Sequence, residues 1–462
     1  MREECGIIAA FNVPGAQNIA YYGLTALQHR GQEAAGLAAV LPNGLIHVHK
    51  GFGLAHNVIR SEHLQDCESD RVLGHVRYAR RSENTAVNIQ PIVIRSHAGD
   101  FAIAHNGSVT NSRELKIELE AAGSIFHSTG DSELLAHLIQ RAKGSFYDRV
   151  VAALPQMDGA FAYAILTPNA LYAVRDRNGI RPLSLGRLNG SYLISSESCA
   201  FDIIGAEFVR DIAPGEILRI SDNGFLESRF YVDEDKCRDR ICAMEYVYFS
   251  RPDSDLRGLN VHTARKRTGF ALAANDRAEL ADGSLLADIV VGVPDSSLSA
   301  AQGYAEAAGL PYEMGLIKNK YYGRTFIQPV QSEREKGVKI KLSAVRSVVR
   351  DRHILLVDDS IVRGTTSRRI VNLLREVGAA SVHLRIGSPQ IISPCFYGVD
   401  MSTRDELVSV TMDLESLRLY TGADSLKFLP LEQMSDIFGQ NLCSACFDRN
   451  YPTELYSLSK EI

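Results

Sequence analysis

The chain has 462 residues, 45% of them hydrophobic and 23% charged, with a formal net charge of -5. That length exceeds what one hydrophobic core supports, so two or three domains are expected; the net charge is too mild to suggest a nucleic-acid surface, and no window reaches the roughly 20 apolar residues of a membrane span. Eight cysteines are too sparse for a disulfide framework, and Met1 to Glu4 is charged where a signal peptide would turn apolar, so the chain reads as cytoplasmic with catalytic, metal-binding or buried cysteines.

From Cys5 to about Asp233 the apolar segments are short and bounded by turn residues: CGIIAAF, GLAAVL, FAIAHNG, AFAYAIL, YLISS and EILRI are predicted strands. Helical periodicity predicts helices at Asn18 to Gln28, Asn111 to Ala122 and Asp131 to Gln140. Near residues 232 to 240 the texture changes to alternating units. A helix at Asn260 to Asn275 precedes the apolar run DIVVGV, a helix at Ser297 to Ala308 precedes HILLVDD, and a helix at Thr366 to Val377 precedes SVHLRIG. That alternation predicts a parallel, doubly wound sheet. There is no internal repeat and no low-complexity segment.

In the first half, Cys5 heads an apolar strand and is followed by Gly6, which leaves room beside the sulfur. Removal of four residues would give Cys5 a free α-amine, a base for its own thiol. By frequency alone a strand cysteine is a buried one; the surrounding strings argue otherwise. LQHRGQEAAGLA, GHVRY, AHNGSVTN and GDSELL each put polar groups at a strand end or helix start. Asn106 and Gly107 offer an amide and a backbone N–H to an oxyanion. Arg77 and Asp131 are suited to the α-carboxylate and α-ammonium of glutamine.

The second half carries HILLVDDSIVRGTTSRR, His353 to Arg369: a buried strand, two carboxylates at its C-terminal tip, then Gly364 and three hydroxyl residues opening a helix. Ligands bind open α/β sheets at such tips, and a helix start favours a phosphate. Paired Asp358 and Asp359 suit ribose hydroxyls and a divalent cation. No G-x-x-x-x-G-K-[ST] is present, which excludes the usual nucleoside-triphosphate loop. The string resembles the signature of type I phosphoribosyltransferases, which implies that Asp358 and Asp359 meet ribose and metal while Arg363, Gly364, Thr365, Thr366 and Ser367 hold a 5-phosphate. Upstream, Lys318 to Arg352 carries ten basic residues against three acids. Any one of them suits a solvated face; together, with Gly323 and Pro329, they suit a loop that closes over a polyphosphate, with Lys318, Arg324 and Lys341 among its substrate contacts.

From Cys5 to about Tyr456 the motifs together resemble the glutamine phosphoribosylpyrophosphate amidotransferase family, whose first part is a class II glutamine amidotransferase domain. RDRNGIRPLSLG, EYVYFSRPDS and GLIKNKYYGRTFIQP strengthen the likeness. It implies an α+β N-terminal nucleophile hydrolase sandwich of four αββα layers, residues 5–235 after a propeptide 1–4. An α/β type I phosphoribosyltransferase domain with a parallel sheet, 236–430, and a tail, 431–462, follow. The implied activity makes 5-phosphoribosylamine, glutamate and pyrophosphate from glutamine, 5-phosphoribosyl-1-pyrophosphate and water, the first committed step of purine synthesis. It further implies Arg30 as a substrate contact, Mg²⁺ held by Ser296, Asp358 and Asp359, purine nucleotide inhibitors and a homotetramer. One stretch departs from the family: Ala79, Arg80, Arg81, Ser82 and Glu83 stand where a small Thr-Ala-Gly run lines the glutamine pocket. A ribose-phosphate sensor with a decayed glutaminase, an iron-sulfur redox protein and an amidotransferase for another sugar phosphate are the rival readings.

Cys443 and Cys446 form a C-x-x-C. Spacing alone leaves zinc, iron-sulfur and redox chemistry open. The resemblance implies one 4Fe-4S cluster completed by Cys242 and Cys395, with Cys237 as the only rival to Cys242.

Overall fold

Strands whose side chains are apolar on both faces must be covered on both faces. In chain order the first half forms β1 (Gly6–Phe11), β2 (Ala34–Val40), β3 (Ile46–Phe52), β4 (Arg71–Arg77), β5 (Ile92–Ile94), β6 (Phe101–Val109), β7 (Gly159–Thr167), β8 (Ala170–Arg175), β9 (Ser184–Leu188), β10 (Ser191–Ser195), β11 (Glu207–Asp211), β12 (Glu216–Ser221) and β13 (Leu226–Phe230). Seven make one antiparallel sheet, β11-β9-β10-β1-β4-β2-β3, and six make another, β13-β12-β8-β7-β6-β5. The structure, a computed structural model, describes residues 5–78, 84–97, 99–319, 342–401 and 403–461.

Period-two alternation sorts the side chains of these strands into layers. Ile7, Ala9, Ala38 and Leu73 of one sheet pack on Ala102, Ala104, Ala162 and Ala164 of the other; the small alanines keep that layer thin. On the outer side of the first sheet, Ile8, Ala10 and Val76 cover Ala16, Ala20 and Leu24 of the helix Ala16–Ala26. On the outer side of the second, Phe101, Ile103 and Tyr163 cover the helices Ser112–Ala121, Leu134–Arg141 and Phe146–Ala153. The result is the αββα sandwich of N-terminal nucleophile hydrolases.

The second half adds β14 (Ile241–Cys242), β15 (Asp255–Leu256), β16 (Leu259–Asn260), β17 (Ile289–Gly292), β18 (Leu316–Lys318), β19 (Leu342–Ala344), β20 (His353–Asp358), β21 (Ser381–Ile386), β22 (Ser425–Phe428) and β23 (Leu442–Cys443). A parallel sheet β17-β20-β21-β22 is its centre. Val290, Leu355 and Val357 face the helices Val261–Asp282 and Leu298–Ala308, while Val291, Leu356 and Leu384 face the helix Thr365–Glu376. Both faces are therefore covered, as a doubly wound sheet requires. No helix among the described residues is long and apolar enough to cross a membrane.

Two helices differ from the sequence expectation. The one beginning after Asn260 continues to Asp282 instead of stopping at Asn275, because Asp276 is not a surface residue: it is buried against Arg385 and Tyr304. Gly283, at φ 77°, then ends the helix in the left-handed region. The segment predicted as one helix from Asp131 splits into a tight turn, Asp131–Glu133, and the helix Leu134–Arg141. Glu133 causes the split by folding back to accept hydrogen bonds from the backbone N–H of His127 and of Ser128.

Helices Val261–Asp282 and Leu298–Ala308 cross at two glycines: a Cβ on Gly303 would stand 2.1 Å from the Lys266 carbonyl oxygen, and one on Gly269 1.9 Å from that of Ala300. Gly303→Ala should lower stability by about 1–3 kcal/mol, read as a fall in the apparent melting temperature, since two backbones must separate. For Glu133, burial favours the neutral form, but hydrogen bonds from His137, Ser128 and the two N–H groups outweigh it and bring the carboxyl to about 2. A carboxyl depressed in the folded state stabilises above its ordinary value and loses that contribution as pH falls through the folded one. Glu133→Gln should therefore cost about 1.5–3 kcal/mol at neutral pH. The gap in melting temperature from the parent should narrow as pH is lowered from 4.5 towards 2.

Candidate active sites

Cys5 stands directly before β1, whose Gly6 pairs with Val76 of β4, and its thiol donates to the Tyr78 carbonyl at 3.6 Å. Close approach here needs glycine: a Cβ on Gly31 would meet Arg77 backbone atoms at 2.6 to 2.7 Å. Arg77 ends β4 and donates to the Asn88 carbonyl. Asn88 in turn accepts from the Thr129 N–H at 3.0 Å, which ties Arg77 to the loop leading into Asp131. The Asp131 carboxylate accepts from Val109 N–H at 2.8 Å and lies 3.6 Å from the His105 ring nitrogen. Burial works against its charge, yet the His105 ring and the Val109 N–H outweigh it, holding the carboxyl below its ordinary range.

Asn106 sits on β6, 2% exposed, and its amide Nδ2 has no hydrogen-bond partner in the structure. A buried donor left so is costly and marks a place where a ligand oxygen can bind. Gly107 follows at φ 137°, and a Cβ there would meet the Ala160 carbonyl at 2.1 Å, so only glycine lets this strand pass.

Arg30 needs a correction. The resemblance made it a substrate contact, but its side chain is fully buried: Nε donates to the Cys5 carbonyl at 3.0 Å, and the terminal nitrogens reach Glu197 at 2.5 Å and Glu245 at 2.8 Å. It holds the backbone of Cys5 and has no face left for a substrate. Glu197, Glu245, Asn88 and Gln90, whose side chain joins His105 N–H to Ser132, were not singled out from sequence. Nothing local marks them; each acts on residues far away in the chain.

In the second half, β20 delivers Asp358 and Asp359 to the edge of a pocket lined by Arg265, Thr268, Ser296, Ser297, Asp359 and Gly387. Ser296 Oγ donates to Asp359, and Ser297 Oγ to Asp358 at 3.2 Å. Burial raises both carboxyls, and the Asp359 charge raises Asp358 further. Two neighbouring buried acids of this kind call for a cation. Gly364, at φ 68°, opens the helix Thr365–Glu376, and no side chain caps that end; its first N–H groups are suited to an anion. Thr365 and Thr366 are exposed there, Ser367 is buried, and Arg363 lies on the surface paired with Glu406. Lys318 Nζ reaches Asp295 at 2.7 Å, beside Ser296. Arg324 and Lys341, like Arg80, Arg81 and Met1 to Glu4, lie outside the described residues.

Cys242 and Cys443 are register partners in the parallel pair β14 and β23, and with Cys395 and Cys446 they line one pocket. Burial and the nearby Cys395 push the Cys443 thiol up to about 12. Among the described residues no three His, Cys, Asp or Glu side chains converge on a single ion. Cys237 is elsewhere, its sulfur against Gly215, where a Cβ would lie 2.5 Å away.

Comparison with known proteins agrees with both halves. A family model described as a glutamine amidotransferase domain matches residues 75–202, and one described as a phosphoribosyl transferase domain matches 271–386. The amidophosphoribosyltransferase of Bacillus subtilis strain 168 is 48% identical over 99% of this chain and 95% of its own length. That of Staphylococcus epidermidis strain RP62A is 45% identical over 100% of this chain and 93% of its own. Among solved structures, a glutamine phosphoribosylpyrophosphate amidotransferase from B. subtilis complexed with ADP and GMP superposes with a TM-score of 0.91 at 47% identity, covering 98% of both chains. A second, described as the allosteric regulatory enzyme of purine biosynthesis, gives 0.92 at 46% identity over 99% of both. With two sites in sequence and likeness over its whole length, the chain belongs to the amidophosphoribosyltransferase family.

Proposed function

We infer that this chain carries out the family reaction, glutamine and 5-phosphoribosyl-1-pyrophosphate with water giving 5-phosphoribosylamine, glutamate and pyrophosphate, the first committed step of purine nucleotide synthesis. The division of labour is as follows. Removal of Met1 to Glu4 frees the α-amine of Cys5, which takes the thiol proton. The sulfur attacks the side-chain amide carbon of a glutamine whose carboxylate and ammonium are held by Arg77 and Asp131. Asn106 Nδ2 and the Gly107 N–H receive the oxyanion, ammonia leaves, and water hydrolyses the thioester to glutamate. The observation that carries this reading is the buried, unpartnered amide of Asn106.

Ammonia is protonated and inert in bulk water, so it passes inside the protein to the second site. There Arg363, Gly364, Thr365, Thr366 and Ser367 hold the 5-phosphate, and Asp358 and Asp359 hold the ribose hydroxyls. Lys318, Arg324 and Lys341 meet the pyrophosphate. The donor set fits Mg²⁺: Ser296, Asp358 and Asp359 are hard oxygen ligands, and two buried acids with raised carboxyls are relieved by a divalent charge. When bound, Mg²⁺ stabilises the charge on departing pyrophosphate.

The pocket of Cys242, Cys395, Cys443 and Cys446 fits one 4Fe-4S cluster. Four thiols line it with no histidine or carboxylate among them, a donor set that serves zinc and iron-sulfur alike, and the likeness to the family favours the cluster. Its role here is structural, tying the C-terminal tail to the rest. Inhibition by purine nucleotides and a homotetramer belong to the same reading; the ADP and GMP bound by the B. subtilis relative support the first.

Cys5→Ala should abolish glutamine-dependent phosphoribosylamine formation and keep the ammonia-dependent reaction; unchanged glutamine use would sink the proposal. Asn106→Ala should lower glutamine-dependent kcat by about 10² to 10³, with the ammonia-dependent rate as internal control. Intact-mass and iron analysis of protein purified without oxygen should find a chain beginning at Cys5 and bearing iron with acid-labile sulfide; zinc in its place would overturn the cluster assignment.

A further inference from the structure

Four fully buried charges meet behind the nucleophile: Arg30 with Glu197 at 2.5 Å and with Glu245 at 2.8 Å, and Arg181 with Glu245 at 3.6 Å. The set is balanced, two cations and two anions. One end holds the Cys5 carbonyl through Arg30 Nε at 3.0 Å; the other holds the Tyr397 carbonyl through Arg181 Nε, also at 3.0 Å. Tyr397 N–H donates in turn to Cys395 Sγ at 3.4 Å. Arg30, Glu197 and Arg181 belong to the sandwich half, whereas Glu245 opens a π-helical turn, Glu245–Phe249, of the second half.

Apolar side chains of similar volume would join two halves at least as well as buried ions do. What they would not do is aim a hydrogen bond. Once the four preceding residues are removed, Cys5 is a chain end with a covalent anchor on one side only, and such ends fray unless tied. Arg30 supplies the tie from its Nε, and a guanidinium is planar, so whatever grips its terminal nitrogens decides where Nε points. Glu245 grips both of them, at 3.0 and 2.8 Å, and is itself held by Ser250 Oγ at 2.7 Å.

We propose that Glu245 is a positioning residue for the amide-cleaving step: from the second half it orients Arg30, and through Arg30 it fixes the backbone of Cys5, so the nucleophile is aligned only when the two halves are docked. The proposal rests on the reading of Cys5 as an N-terminal nucleophile. Arg181 completes the relay and extends it to the backbone beside the cysteine pocket.

The test uses the full chain with Glu245→Gln, which keeps shape and removes charge. Four things are measured: glutamine-dependent and ammonia-dependent phosphoribosylamine formation, the rate at which an electrophilic diazo-ketone analogue of glutamine alkylates Cys5, and the melting temperature. A nucleophile misplaced by a fraction of an ångström should lower glutamine-dependent kcat and the alkylation rate together, by up to about 100-fold, with a smaller change in KM for glutamine. The ammonia-dependent rate should stay within about twofold of the parent. A parallel fall in both amine sources with the melting temperature would make the role merely structural and overturn the proposal, as would alkylation at the parent rate. Should Glu245→Gln fail to fold, Arg30→Lys carries the test, since it keeps the cation between both glutamates and removes the Nε–H; the same pattern is expected, and parent-rate alkylation overturns the idea. Glutamine use surviving in Cys5→Ala would instead sink the underlying reading, whatever Glu245→Gln does.

Discussion

Burying a polar group without a full set of partners is the costliest thing a fold can do with it, and this chain does so where its chemistry is expected. The Asn106 amide lies 2% exposed with Nδ2 unpartnered. The Asp358 and Asp359 carboxyls share one pocket edge, facing serine hydroxyls and an N–H, with Arg265 lining the same pocket. Four thiols line a pocket whose other walls include Met244, Val399, Met401 and the rings of Tyr397 and Tyr451. Under the proposed function each would be relieved by a complementary group: an oxyanion, a hard cation, a soft metal centre. Stability given up at these points is recovered in the apolar layers elsewhere, in alanine-rich sheets and close helix crossings.

Two unrelated architectures are joined in this chain, and a few contacts hold them in register. The antiparallel sandwich ends with β13 at Phe230, and the parallel sheet starts with β17 at Ile289. Between them the chain supplies Glu245 to the buried charges behind Cys5, and later residues return to the sandwich. The Tyr78 hydroxyl donates to Asp400 at 3.0 Å, and Arg181 holds the Tyr397 carbonyl. A Cβ on Gly398 would lie 3.4 to 3.5 Å from Gly107 backbone atoms. The segment between Cys395 and Asp400 thus touches both the loop after Arg77 and the strand bearing Asn106. Polar contacts of this sort specify one relative placement, where an oily interface would tolerate several.

The carboxyls of the two sites are shifted in opposite directions. Around Asp131 and Glu133 the hydrogen-bond donors outweigh burial and keep the carboxylates ionised. Around Asp358 and Asp359 burial wins and the carboxyls resist ionisation until a cation joins them. Aspartate is thus tuned in two directions by whether the donors and charges around it outweigh burial.

Much of this was legible in the linear chain because the relevant signals are local. The strand, acid pair, glycine and hydroxyl run from His353 to Ser367 is contiguous, and its strand and helix fall within a residue of where periodicity puts them. The same holds for the Asn106-Gly107 string on β6. The antiparallel strands β3, β5, β8, β9, β11 and β13 were not singled out, whether exposed like β11 or buried like β8, because pairing with neighbouring strands supplies what their local pattern lacks. Nor was the true office of Arg30, which depends on Glu245, 215 residues away; the convergence of Cys242 with Cys443 was expected from the family likeness alone, since their spacing does not show it. Residue types and their spacing along the backbone determined which chemistry this chain can perform. Only folding decided which charges neutralise one another, because a contact between distant segments leaves no trace in the neighbours of either.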